Sequence, residues 1–151
     1  MIDATVGGAN SNSFVDLAYA DAYFLSTLGA ARWAALTVKN EALVSGTLYL
    51  DTLGYKGTVA TDTQALQFPR LGSVVIPERI KIATCELALY MAENPDAFGV
   101  ADMTTEIKVA VIQIKQEVAA IGSISSLPLG IKNLIREFLD DGEGSLTLVL
   151  Q

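Results

Sequence analysis

Apolar residues fall at helical spacing in four stretches of the chain. In "DLAYADAYFLSTL", Leu17, Ala20, Phe24 and Leu28 share one face, with Ser13 or Asp16 placed to cap the helix and Gly29 to close it. A second helix is predicted after Thr37, a capping residue, through "VKNEALVSGTLYLDTL", where Leu43, Gly46, Leu50 and Leu53 align and Gly54 provides the stop. Trp33 falls in the connection between the two and is expected to plug the core. A mid-helix glycine costs about 1 kcal/mol against alanine, so "SGT" at Ser45–Thr47 predicts a close approach of another helix. After Pro128, "LGIKNLIREFL" turns Ile131, Leu134, Ile135, Phe138 and Leu139 to one side.

The remaining helix, "IPERIKIATCELALYMAENPD" from Ile76 to Asp96, starts with Pro77 at its expected first position and stops at Asn94-Pro95. It has two apolar stripes. Ile80, Ala83, Leu87, Tyr90 and Met91 form one, and Ile82, Cys85, Leu89 and Ala92 the other, with Glu86, Glu93 and Lys81 at the seams. Such a helix must be covered on both sides, by the rest of the chain or by a neighbouring subunit. The second stripe is accordingly a candidate subunit interface.

Three stretches lack a long helical pattern. Residues 55–75 contain Gly57, Pro69 and Gly72 and read as an ordered loop long enough to be a binding loop, with Phe68 anchoring it on the core. In "EIKVAVIQIKQEVAAIG" a helical stripe (Ile107, Val111, Ile114, Val118, Ile121) competes with a β-branched cluster, and the cluster favours a strand over about residues 105–118. "SLTLVLQ" alternates Leu146, Leu148 and Leu150 with Thr147 and Val149, the pattern of a terminal strand with one apolar face. Those leucines are further candidate interface residues. The expected fold is mainly α, a small bundle of about four helices with a minor β element and a C-terminal strand. It is read as one domain over 1–151: an N-terminal arm at 1–12, a helical core at 13–94, and an extended segment, short helix and strand at 95–151.

Composition narrows the function. The chain has 151 residues, 51% hydrophobic and 18% charged, with a net charge of −7. Residues 1–31 sum to −3, the stretch from Arg32 to Lys81 to +2, and the remainder to −6. Clustered bases drive non-specific nucleic-acid binding through counterion release, and an acidic chain is poorly built for it. Three aromatic–base pairs, Arg32-Trp33, Tyr55-Lys56 and Phe68-Pro69-Arg70, all fall in the locally basic stretch, making Trp33 and Arg70 candidate DNA contacts. The start has no basic-then-apolar signal pattern, and the apolar runs are too short to span a membrane, so synthesis in a reducing cytoplasm is expected.

Chemistry is sparse. With no histidine and a single cysteine, imidazole bases, His-based triads and thiol–imidazole zinc sets are excluded. "TVGGANSNS" has neither phosphate-loop nor dinucleotide spacing. Asp140, Asp141 and Glu143 read as a solvated turn. No catalytic, cofactor or metal residue is expected, and the chain reads as a non-enzyme.

"SFVDLAYADAYF" (Ser13–Phe24), Trp33, "LQFPRLG" (Leu66–Gly72), "IPERIKIATCELALYMAEN" (Ile76–Asn94) and "LPLGIKNLIREFL" (Leu127–Leu139) occur in an order that resembles the head–tail connector, or neck adaptor, proteins of tailed bacteriophages. Such sequences are often named DnaT-like single-stranded DNA-binding proteins. Tyr19 and Phe68 depart from the Glu and Trp common at those places. The resemblance implies a structural virion protein of the neck, made in the host bacterial cytoplasm. It also implies a homo-oligomeric ring of about twelve copies joining the portal to the next neck or tail protein, with DNA passing through its channel unbound. The alternative is a single-stranded DNA-binding module of primosome type.

Overall fold

The computed structural model describes residues 1–97 and 127–140. The predicted strand at 105–118 and the terminal strand carrying Leu146, Leu148 and Leu150 lie outside the described residues. Within them the chain is mainly helical: α1 (Leu17–Leu25), α2 (Ala30–Ala35), α3 (Lys39–Asp51), α4 (Glu78–Glu93) and α5 (Leu129–Ile135), with single 3-10 turns at Pro95–Ala97 and Arg136–Phe138.

Local chemistry sets most helix ends. The Asp16 carboxylate accepts the Tyr19 N–H at 2.7 Å and caps α1. The helix then stops at Leu25, one turn short of the expected Leu28, which is fully exposed. The chain is free to turn there because Ser26 and Thr27 donate their N–H groups back to Tyr23 and Phe24 carbonyls. Trp33 lies on a short helix of its own, so the described residues hold five helices, in keeping with the expected small bundle of about four. Thr37 does not cap α3; Val38 occupies that position without a side-chain bond. α3 ends at Asp51, before Gly54, and Pro77 flanks α4 instead of opening it.

α3 and α4 form the central pair. A Cβ on Gly46 would stand 3.2 Å from both the Ala88 nitrogen and the Thr84 carbonyl oxygen, so the glycine lets the two backbones touch. At the next residue, buried Thr47 accepts the Phe14 N–H at 3.1 Å and docks the N-terminal segment on α3.

α4 divides two cores. On one side Ile80, Ala83 and Leu87 pack with Phe14, Leu50, Phe68 and, from α5, Ile131 and Ile135. On the other, Cys85, Ala88 and Leu89 pack with Val15, with Ala20 and Phe24 of α1, with Trp33 of α2 and with Leu43 of α3. The chain itself therefore covers both stripes. Cys85 and Leu89, expected at a subunit interface, are instead buried core, with Ala92 packed at its edge. The reason is α2, whose Trp33 fills the space a neighbour would need. Ile82 remains partly open to solvent beside α5.

Candidate functional site

The loop over residues 55–75 is ordered, as its pattern predicts. Leu66, Phe68 and Pro69 are buried, and the Phe68 ring makes edge contacts with Phe14, Tyr55 and Phe138. The Gln67 N–H donates to the Asp51 carboxylate at 2.6 Å. Burial pushes the Asp51 carboxyl above its ordinary value, against this hydrogen bond and the Arg70 charge. A bridge between Val59 and Arg70 closes the loop into a hairpin-like turn.

Arg70 holds that turn together. Its guanidinium donates to the carbonyls of Lys56 at 3.0 Å, Gln67 at 3.1 Å and Tyr55 at 3.3 Å, and also to Gly57 and the Gln67 side chain. With its donors committed to the chain's own backbone, Arg70 has little left for phosphate. The expected DNA contact is a structural knot.

Trp33 is likewise spent. It is 2% exposed and stacks on Phe24 with centroids 4.6 Å apart, and its indole N–H donates to Asp21 at 2.7 Å. Lys39 reaches the same carboxylate at 3.0 Å and lies over the indole, 5.5 Å from its centroid. A ring enclosed in this way offers no face to a nucleobase. Periodicity cannot separate these readings, because a core aromatic beside a surface base leaves the same dipeptide.

Three other bases of the locally positive stretch meet acids. Arg32 pairs with Glu93 at 2.9 Å, Arg79 with Glu137 at 3.3 Å, and Lys81 lies 3.9 Å from Glu78. Lys132 and Arg136, one turn apart on and just after α5, stand outside these ion pairs.

Between α1–α2 and α5, against α4, lies an open cleft of about 430 Å3. Ile82, Leu89, Tyr90, Ile131 and Leu134 line it with apolar surface, and Arg32, Glu86 and Glu93 supply its polar part. The Tyr23 hydroxyl donates to Glu86 at 2.6 Å across the α1–α4 seam. Burial, then the hydrogen bond to Glu86, raises the Tyr23 pKa well above its ordinary value, so the phenol stays a neutral donor. The Tyr19 hydroxyl does the same toward Glu78, and its pKa is raised chiefly by burial. Sequence reasoning missed this cleft. Its signal in the chain is the pair of glutamates at the α4 seam, which marks a solvated edge equally well.

Burial raises the Cys85 thiol to about 12, with Glu86 and Glu78 adding to the effect, which makes it a packing group and a poor nucleophile. Among the described residues no three acidic, cysteine or histidine side chains are placed to hold a metal ion, and no helix is long and apolar enough to cross a membrane.

No curated protein and no solved structure matches the chain. A family model described as "Putative DnaT-like ssDNA binding protein" matches residues 1–151. With its whole length covered, the chain belongs to this DnaT-like family.

Proposed function

We propose that the chain is a non-catalytic helical module whose ligand is single-stranded DNA. The observation that carries this reading is the family match over the entire length. The phosphate contacts we assign are Lys132 and Arg136, since Arg32, Arg70, Arg79 and Lys81 are held by the chain's own groups. Two bases on a −7 chain make a weak binder with a short footprint and a shallow salt dependence. Fluorescence anisotropy with a labelled oligonucleotide at low and physiological salt tests it. Binding at low salt that charge reversal at Lys132 and Arg136 abolishes is the expected result; no binding at any salt rejects it.

A second reading keeps the neck adaptor of a tailed phage. It is favoured by the internal pairing of the bases together with the excess of acid, which suit a wall that DNA slides past. In that case the chain assembles as a homo-oligomeric ring on the portal at the virion neck and meets the next neck or tail protein. Electron micrographs of the protein mixed with portal complexes decide it: rings seated on portals support the adaptor, and bare portals remove it.

A further inference from the structure

Glu137 follows Arg136 in the chain and meets Arg79 in space. Arg79, in the first turn of α4, brings its Nη1 to 3.3 Å from the Glu137 Oε1. Both side chains are more than half exposed, at 58% and 54%, so water reaches the pair. Three connections fix where it sits. Ile80 of α4 packs in one core with Ile131 and Ile135 of α5, which holds the start of α4 against α5. The Arg136–Phe138 turn continues directly from α5, and the Arg136 N–H donates to the Lys132 carbonyl. Past the turn, the Phe138 carbonyl accepts the Lys56 N–H at 2.9 Å, and Leu139 bridges to Tyr55. Backbone held on both sides therefore presents Glu137 between Arg136 and Arg79. The acid next to Arg79 in the chain is engaged elsewhere: Glu78 accepts the Tyr19 hydroxyl from α1 and lies 3.9 Å from Lys81.

We propose that Arg79 is a third phosphate position for single-stranded DNA beside Lys132 and Arg136, and that Glu137 occupies it as the chain's own stand-in for phosphate. The inference rests on the DNA-binding reading. A guanidinium recognises carboxylate and phosphate by the same means, N–H donors aimed at anionic oxygens, so one can take the place of the other. An exposed ion pair contributes little to stability, so the consequence of this one lies in the charge it cancels. Two effects keep the position shut. Pairing removes the Arg79 charge that would otherwise release counterions from DNA. A displaced Glu137 carboxylate would also stay beside the incoming phosphate and repel it. The second effect dominates, because exchanging a weak partner costs little while the acid left behind opposes the strand throughout. A strand is then held at two positions where the surface has three. Weak binding thus has a specific cause in Glu137, in addition to the net charge of −7.

Anisotropy titrations of a labelled oligothymidylate with the full chain, over a series of salt concentrations, test this. Wild type, with two contacts, should give a slope of about 1.4. Glu137→Gln keeps the shape of the side chain and removes its charge. It should bind more tightly and raise the slope to about 2.1, the value for three neutralised phosphates. Adding Arg79→Gln to that variant should return the slope to about 1.4, whereas adding Arg79→Lys should keep it near about 2.1. Both positions are on the surface, so every variant should melt close to wild type. A wild type that binds while Glu137→Gln leaves the slope unchanged overturns the inference and spares the DNA reading. A raised slope that persists without Arg79 also overturns it, because Glu137 then acts only as a repelling charge. Absence of binding by both wild type and Glu137→Gln rejects the DNA reading, and this inference with it.

Discussion

Asp21 and Trp33 are joined by a 2.7 Å hydrogen bond from the indole N–H to the carboxylate, and this bond ties α2 back to α1. Asp21→Ala leaves the buried indole donor without its partner and should cost about 1–3 kcal/mol. Asp21→Asn keeps an acceptor and loses only the Lys39 pair, which is partly exposed and worth less than about 1 kcal/mol. The indole bond first, and Lys39 second, hold the Asp21 carboxyl below its ordinary 3.8. Its contribution to stability is therefore complete above that value and is lost as pH falls through the lower folded value. Urea melts across the acid range should show a shallower acid loss for Asp21→Asn than for wild type.

Asp51 has the opposite sign. Burial raises its folded pKa above 3.8, so its contribution to stability is greatest below that value and declines as pH rises through the folded one. Asp51→Asn retains an acceptor for the Gln67 N–H and removes the buried charge. It should leave neutral-pH stability equal or higher. Asp51→Ala orphans that N–H and should cost about 1–3 kcal/mol. Thermal melts of the two variants separate the charge from the hydrogen bond.

Gly46→Ala sets helix propensity against packing. Alanine gains about 1 kcal/mol in an open helix, but here its Cβ meets α4 backbone at 3.2 Å, and overpacking costs about 1–3 kcal/mol. Since backbone atoms cannot rotate away, we expect net destabilisation, and more of it for Gly46→Val. Chemical denaturation measures both.

Cys85 should report on unfolding. The thiol is buried and its pKa is pushed up to about 12, so an aromatic disulfide reagent at mildly alkaline pH should react only as the native state opens. The labelling rate should rise with denaturant in step with global unfolding. Rapid labelling of the native protein would contradict the packed second core.

Single-stranded DNA binding should have a shallow salt dependence. Each neutralised phosphate contributes a slope of about 0.7 for single strands, so contacts at Lys132 and Arg136 should give a slope of about 1.4, and neutralising one of them with Lys132→Gln should lower it to about 0.7. Arg70→Lys, tested as a folded protein, should leave affinity unchanged because its donors serve the loop. Anisotropy titrations at several salt concentrations give both numbers.

Much of this protein follows from local pattern alone. Helical spacing locates the four longer apolar helices, Asp16 acts as the cap its side chain allows, and Gly46 marks the close helix contact because glycine alone adds no atom there. The absence of histidine bounds the chemistry whatever shape the chain takes. What covers each apolar face is settled by packing between distant segments. Periodicity shows that the Cys85–Leu89 side of α4 must be buried, yet it cannot say against what, since a neighbour and the chain's own Trp33 satisfy the same pattern. Competition among partners settles the fate of Trp33 and Arg70 as well. An indole or guanidinium that looks exposed from its neighbours in the chain is free for DNA only if no nearer acceptor claims it, and Asp21 and the loop carbonyls do. The cleft and the Arg79–Glu137 pair depend on how separate helices and turns are placed in three dimensions, a distance that no local pattern encodes.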